Sequence, residues 1–329
     1  MIDAVALGEL LIDFTYCGTS ASGMRLFEQN PGGAPANMLC ALSRLDKGTA
    51  FIGKVGKDIH GEFLRDTLVK AGVDVSGLVE TAEAFTTLAF VDLSVNGERR
   101  FSFSRNPGAD TCLGIEDIKT DLLESARIFH FGSLSLTHEP ARTATLYALD
   151  AAKKANAEIS FDPNYRAPLW QSEKQAASQM RSVLEYVDMI KISEEETSLM
   201  TDRSDPREAA KYLSDAGVPC VVVTLGDKGS LACIRGDIIT VDAIRSDAVD
   251  TTGAGDAFWG GFLYRFLETG KRSTELSLDE ARDCLMFGNT AAALCIRKRG
   301  AIPALPTLEE VLALMGGRGY CPTLLSKMV

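Results

Sequence analysis

The residues Asp250-Thr251-Thr252-Gly253-Ala254-Gly255-Asp256-Ala257-Phe258 put a turn of small residues directly ahead of an acid and an apolar run that continues to Leu263. Amides exposed by such a turn at a helix N-terminus, with the helix dipole behind them, favour an anion. A carboxylate there would repel a phosphate, so its presence suits a base standing beside a transferring phosphoryl group. On this reading Gly253, Ala254 and Gly255 form an anion hole and Asp256 is the base. The competing reading is a glycine turn with Asp256 as a helix cap.

A second glycine turn, Pro31-Gly32-Gly33-Ala34-Pro35-Ala36-Asn37, opens another helix. It reads either as a close helix–strand contact or as a backbone surface for a flat polyol, with the Asn37 amide meeting vicinal hydroxyls. Other polar groups stand where strand-like runs end. Asp13 follows the first run, Asp162-Pro163-Asn164-Tyr165-Arg166 another, Ser193 and Glu196 follow Val187–Ile192, and Thr224-Leu225-Gly226 follows Val221–Val223. Each alone is an ordinary cap or loop residue. Together they fall at carboxyl ends of strands, where open α/β sheets bind ligands. Arg105 and Arg166 are the basic candidates, and Trp170 is assigned no role.

Positioning such groups requires alternating strands and helices, and the signals alternate. Strand-like runs are Ala4–Leu7, Ala50–Val55, Arg127–Phe131, Glu158–Phe161, Val187–Ile192 and Val221–Leu225. Helical spacing covers Ala36 to Ser43, with Lys47-Gly48 as its end, and Gly61–Ala71, with Gly72 as its stop. Pro140 opens a further helix, and others follow near Pro206–Asp215, Asp256–Leu267, Leu278–Ile296 and Thr307–Leu314. Repeated βα units imply a mainly parallel sheet covered on both faces. Leu11 to Asn30, and Phe85–Leu93 with Arg99–Phe103 around Asn96-Gly97, break the pattern and predict a small separate β-sheet. A second hairpin is expected from Ser230–Arg235 and Ile238–Ala243 around Gly236-Asp237.

The 329 residues are 46% hydrophobic and carry a net charge of −11, which argues against general affinity for nucleic acid or an anionic membrane. None of the eight cysteines pairs at C-x-x-C spacing, and three histidines are too few for a His-rich metal site. No apolar run approaches a membrane span, no signal peptide is evident, and the expected setting is a reduced cytoplasm.

The Gly32-Gly33-Ala34-Pro35-Ala36-Asn37 segment, Gly53-Lys54-Val55-Gly56-Lys57-Asp58 downstream, and Asp250–Phe258 together resemble the two signatures of the ribokinase-type (PfkB) carbohydrate kinases. Arg105-Asn106-Pro107 with Ala109-Asp110, Phe161–Arg166, Lys191–Glu196 and Arg299–Thr307 resemble the fructokinase branch. The resemblance spans nearly the whole chain. It implies a three-layer α/β/α, Rossmann-like (ribokinase-like) fold over residues 1–329, with a β-sheet lid from segments 11–30 and 85–110 that covers the sugar and forms a homodimer contact.

The resemblance also implies transfer of the ATP γ-phosphate to the 6-hydroxyl of D-fructose, with Asp256 as base and Gly253, Ala254 and Gly255 as anion hole. Sugar contacts would come from Asp13, Gly32, Gly33 and Asn37, with Arg105 and Arg166 in the same pocket. Lys191, Ser193, Glu196, Thr224, Gly226, Gly229 and Asn289 would serve the nucleotide, Glu196 holding Mg²⁺ through water. Asp250, Thr252, Cys295, Lys298 and Gly300 fall where relatives bind K⁺. Ala304 stands where ribokinases supply a serine hydroxyl.

Two alternatives remain open. A 2-keto-3-deoxygluconate kinase would use Arg105 and Arg166 to clamp a carboxylate bidentately. A catalytically inactive sugar-sensing protein would keep the fold without the turnover. A dinucleotide-dependent dehydrogenase is excluded because no G-x-G-x-x-G follows the first strand, and a P-loop kinase because no G-x-x-x-x-G-K-[ST] occurs.

Overall fold

The structure is a computed structural model that describes residues 2–93 and 99–317. The chain sorts into two compact units, Met1–Leu39 with Gly48–Val187, and Cys40–Lys47 with Asp188–Val329. No linker marks this division in the sequence. It arises because the chain just beyond residue 40 packs with C-terminal helices, Leu45 lying in a cluster with Phe287, Ala291, Val311 and Met315.

The first unit holds nine strands among its described residues: β1 (Ile2–Leu7), β2 (Leu11–Thr19), β3 (Arg25–Gly32), β4 (Thr49–Gly56), β5 (Val73–Thr81), β6 (Leu88–Leu93), β7 (Arg99–Ser104), β8 (Ala126–Gly132) and β9 (Glu158–Asp162). Five of them form a parallel array in the order β5-β4-β1-β8-β9. β1 is central, and its Ala4, Val5, Ala6 and Leu7 are fully buried, as an unbroken apolar run in a parallel strand should be. Helices α1 (Ala34–Arg44), α2 (Ile59–Lys70), α3 (Thr120–Ser125), α4 (Ala141–Lys154) and α5 (Glu173–Arg181) accompany these strands. α4 starts behind Pro140 and buries Ala144, Ala148, Leu149 and Ala152.

The remaining strands of this unit make a separate four-stranded sheet, β3-β2-β6-β7. Its register puts Asp13 beside Asn30 and Ala89, and Phe14 beside Gln29 and Phe90, so Asp13 and Phe14 lie on opposite faces. Phe14, Tyr16, Phe27 and Phe90 form a connected aromatic cluster on one face. Asp13 therefore belongs to β2 of the small sheet, not to a loop after the first strand.

The second unit pairs β10 (Met189–Ser193) with β11 (Cys220–Thr224) in parallel, then adds β12 (Ser230–Ile234) and β13 (Asp237–Val241) antiparallel. Its helices are α6 (Thr197–Thr201), α7 (Pro206–Asp215), α8 (Ala254–Thr269), α9 (Leu278–Cys295) and α10 (Leu308–Gly316). The architecture is the mixed α/β one read from the sequence.

Several boundaries moved, each for a local reason. α1 stops at Arg44 because Asp46 turns left-handed at φ 61, so Lys47-Gly48 lies beyond the helix. β6 begins at Leu88 and not Phe85, since the Asp58 carboxylate holds the Thr86 amide at 2.8 Å and its hydroxyl at 2.9 Å. In the β12–β13 hairpin Ile234 faces Asp237, so the turn is Arg235-Gly236, at φ 50 and 90, and not Gly236-Asp237. β5, α3, α5 and α6 were not anticipated. The Asn96-Gly97 turn lies outside the described residues.

Candidate active site

α8 begins two residues before Asp256. Gly253 is its cap, in the left-handed conformation at φ 76, and Ala254 is already helical. A Cβ on Gly253 would fall 2.7 Å from that of Ala301, so this cap accepts no side chain. The Ala254 amide donates to the Thr251 carbonyl at 3.3 Å, which engages one of the three expected anion-hole residues inside the loop. The amides of Gly255 and Asp256 belong to the first helical turn, which has no carbonyl of its own helix to bind.

Lys191 meets this point. It lies on β10 and is 6% exposed, and a Cβ on Gly255 would stand 3.5 Å from its Nζ and 3.6 Å from its Cε. An ammonium group and a helix N-terminus thus converge over a residue without a side chain, and both favour an anion. Asp256 stands one residue further along the same turn.

The loop before α8 is knitted by Asp250. Its Oδ1 accepts the Thr252 amide at 2.9 Å and hydroxyl at 2.7 Å, while Oδ2 accepts the Gly300 amide at 3.0 Å. The Cys295 thiol approaches the Thr252 carbonyl at 3.9 Å. Burial, with the charges of Asp256 and Asp250, pushes this thiol up to about 12, so it stays protonated. The Lys298 ammonium turns away to Glu310 at 3.1 Å. Asp250, Thr252, Cys295 and Gly300 are thus together, and Cys295 and Lys298 have only backbone carbonyls to offer a cation.

On the strands of the same unit, Ser193 sits opposite Thr224 in register. The Ser193 amide is held at 2.8 Å by Glu196 Oε2. The Gly226–Gly229 turn closes through the Leu225 amide on the Gly229 carbonyl at 2.8 Å. Asn289 spends its amide on structure. Nδ2 donates to the Val241 and Asp242 carbonyls at 3.3 and 3.2 Å, and Oδ1 accepts from Ser230 at 3.1 Å. It shapes the end of β13 instead of offering its amide outward.

In the first unit Gly32 has no side chain where a Cβ would stand 2.3 Å from Asp13 Oδ2. Gly33, at φ 118, lies against the Glu9 backbone, and its carbonyl accepts the Asn37 backbone N–H at 2.9 Å. Arg105 is not available as a sequence reading suggests. It is 5% exposed, pairs with Asp110 at 2.7 Å, and donates to Thr137 at 2.9 Å and to the Leu134 carbonyl at 2.9 Å. Arg166 turns back on the Tyr165 carbonyl at 3.1 Å and shares none of those partners. A pocket of about 480 Å³ is lined by Phe103, Arg105, His138, Trp170 and Gln175 among others, but not by Asp13, Gly33 or Asn37. Burial, then the Arg105 charge, lowers the His138 pKa below its usual value.

One residue of this unit was named only within a motif, without a role, and one was missed. Asp110, which neutralises Arg105, also accepts the Thr87 hydroxyl at 2.5 Å. Glu9 is buried at the exit of β1. For Asp110 the proximity to Arg105 in the chain was a signal; for Glu9 there was none beyond an acid at a strand end.

Residues 1–308 match the pfkB family carbohydrate kinase model. The chain is 42% identical over 319 residues to "Probable fructokinase-4" of Arabidopsis thaliana, covering 95% of this chain and 96% of that protein. The crystal structure of fructokinase with bound ATP from Xylella fastidiosa superposes with a TM-score of 0.90 at 32% identity, covering 97% of this chain and 100% of the other. That of a fructokinase double mutant from Vibrio cholerae O395, in its fructose, ADP and potassium ion bound form, gives 0.84 at 33% identity over 95% and 98%. The chain belongs to the pfkB family of carbohydrate kinases.

Proposed function

We propose that the chain transfers the γ-phosphoryl group of ATP to the 6-hydroxyl of D-fructose. The observation that carries this is the meeting of Lys191 with the first turn of α8 at Gly255, one residue from Asp256. Phosphoryl transfer is mainly positioning and charge stabilisation. The ammonium and first-turn amides would receive charge on the transferring oxygens. Asp256 would take the hydroxyl proton as the new P–O bond forms, since a carboxylate is too weak a base to remove it beforehand. Asp13, Gly33 and Asn37 would hold the sugar.

Mg²⁺ would neutralise the phosphates, and Glu196, fixed by the Ser193 amide, would hold it through water. Among the described residues no cluster of three or more His, Cys, Asp or Glu side chains could grip a metal directly, which fits an ion carried largely by phosphates. K⁺ would sit among the hard oxygens around Asp250, as the potassium-bound relative suggests. Fructose is favoured over 2-keto-3-deoxygluconate because Asp110 already neutralises Arg105. The small sheet would cover the sugar and pair with a second copy through its aromatic face.

The test is ADP release with Mg-ATP and fructose, 2-keto-3-deoxygluconate, ribose, glucose or no sugar. Turnover with fructose above all others is expected, and turnover with the keto-acid alone would overturn the substrate. Asp256→Asn should reduce turnover about 10²-fold or more in a folded protein. Near-normal turnover would remove Asp256 from the role.

A further inference from the structure

Glu9 follows β1 and has no part in the mechanism above. It is 3% exposed. Oε1 accepts the Ala34 amide at 3.0 Å, and Oε2, equally buried, has no hydrogen-bond partner among the described residues. The backbones on either side of this bond are pressed together. A Cβ on Gly33 would fall 2.3 Å from the Glu9 carbonyl oxygen, and one on Gly8 2.6 Å from Pro35 Cγ. Ala34 opens α1, the helix that bears Asn37.

The charged groups facing Glu9 are Arg105, just past β7, and Asp110 beyond it. They act in opposite senses and are paired with each other. Burial outweighs both and pushes the Glu9 carboxyl up to about 7. An acid so placed is costly, and an apolar side chain would avoid that cost, so what it retains is its hold on the Ala34 amide.

We propose that Glu9 is a positioning residue for sugar binding: its carboxyl clamps the Ala34 amide and so sets Gly33 and Asn37 in place for the sugar. This rests on the sugar-kinase reading of Asp13, Gly33 and Asn37. The ionised carboxylate makes a charge-assisted bond, stronger than that of the neutral acid. Sugar affinity therefore rises as Glu9 loses its proton near neutral pH.

The experiment compares steady-state kinetics of the wild type, Glu9→Gln and Glu9→Ala with fructose and Mg-ATP from about pH 5.5 to 9. The wild-type KM for fructose should fall about fivefold as pH rises through 7, with kcat following no such step. Glu9→Gln keeps an acceptor for Ala34 but cannot ionise, so that step should vanish. Dividing the two profiles cancels the titrations of ATP and of every other group. Glu9→Ala should raise KM for fructose about tenfold while KM for ATP moves less than threefold.

An unchanged step in Glu9→Gln, or an unchanged fructose KM in Glu9→Ala, overturns the proposal. So does an equal loss in kcat and in both KM values. Hydrogen exchange of residues 33–37 in the unliganded protein gives a readout without substrate. Exchange should quicken in Glu9→Ala and stay near wild type in Glu9→Gln, and unaltered exchange in Glu9→Ala also overturns the proposal. If the wild type does not turn over fructose, the substrate reading alone has failed, and the exchange result still decides the role of Glu9.

Discussion

At the start of α8, two glycines two positions apart do different work. Gly253 is left-handed and has Ala301 where a side chain would go, whereas the nearest group outside its own helix to a methyl on Gly255, among the described residues, is Lys191 at 3.5 Å. Gly253→Ala should destabilise the fold by roughly 1–2 kcal/mol or more, from backbone strain and the clash. Gly255→Ala should fold with stability unchanged or raised by about 0.5–1 kcal/mol, since alanine suits a helix better. It should nonetheless lose about 10²-fold in kcat/KM, because the methyl occupies the space where a phosphoryl oxygen would face the ammonium and the amides. Melting curves and kinetics on the pair check this, and normal turnover by a stable Gly255→Ala would show that no oxygen needs that space. Glu9 makes a second prediction here. Its folded pKa, about 7, lies above the ordinary 4.5, so its stabilising contribution is complete below about pH 4.5 and is lost as pH rises through 7. The loss is on the order of 3 kcal/mol once the group is fully ionised. Relative to Glu9→Gln, the wild type should therefore lose Tm between about pH 4.5 and 7 and level off above. Parallel curves would place the Glu9 pKa elsewhere. The Asp250–Phe258 run was legible because residue types alone carry its chemistry. Glu9 was not, because a single acid after a strand looks the same whether it is buried or solvated.

The elements that hold the small sheet are tied by a buried ion pair. Arg105, at the end of β7, reaches Asp110, Thr137 and the Leu134 carbonyl, while Asp110 takes the Thr87 hydroxyl just before β6. The end of the β6–β7 pair where β6 starts and β7 finishes is thereby fixed to the chain that follows β8. Removing one partner leaves a buried charge uncompensated. Arg105→Met and Asp110→Asn should each cost about 3–5 kcal/mol, measured by urea unfolding. A loss below about 1 kcal/mol would mean that water reaches the pair. A carboxylate clamp predicts something else: a selective loss of keto-acid affinity at unchanged stability. The βα alternation was readable because apolar runs bounded by turn residues announce buried parallel strands. The anchoring role of Arg105 was not, since three of its partners stand 5, 29 and 32 residues away along the chain. Helix ends shifted for a smaller reason: Asp46 and Gly253 act through φ, to which hydrophobic spacing is blind.

Across the whole molecule, a net charge of −11 opposes the proposed pairing of two copies. The aromatic face of the small sheet is where such pairing would gain most. Phe14 and Phe90 stack at 5.3 Å, Phe27 meets Phe90 edge-on at 6.1 Å, and Arg25 lies over both Tyr16 and Phe27. Phe90 remains 38% exposed on this face. Aromatic rings with an arginine beside them are typical anchors of a protein interface. Two like-charged copies repel over a range of about 30 Å at 0.01 M salt and about 8 Å at 0.15 M. Association driven by this face should therefore strengthen as salt is raised over that interval, whereas association through ion pairs would weaken. Sedimentation equilibrium should show dimer at 0.15 M and a larger monomer fraction at 0.01 M. Phe90→Asp adds a charge to the centre of the cluster and should leave monomer at both, with the melting temperature little changed because the ring is only partly buried. A wild type that is monomeric at both ionic strengths, or a Phe90→Asp variant that still dimerises, would move the interface elsewhere. If the dimer forms and Phe90→Asp also raises KM for the sugar while kcat holds, then pairing steadies the sheet that carries Asp13, and assembly and sugar affinity are coupled through β2 and β6.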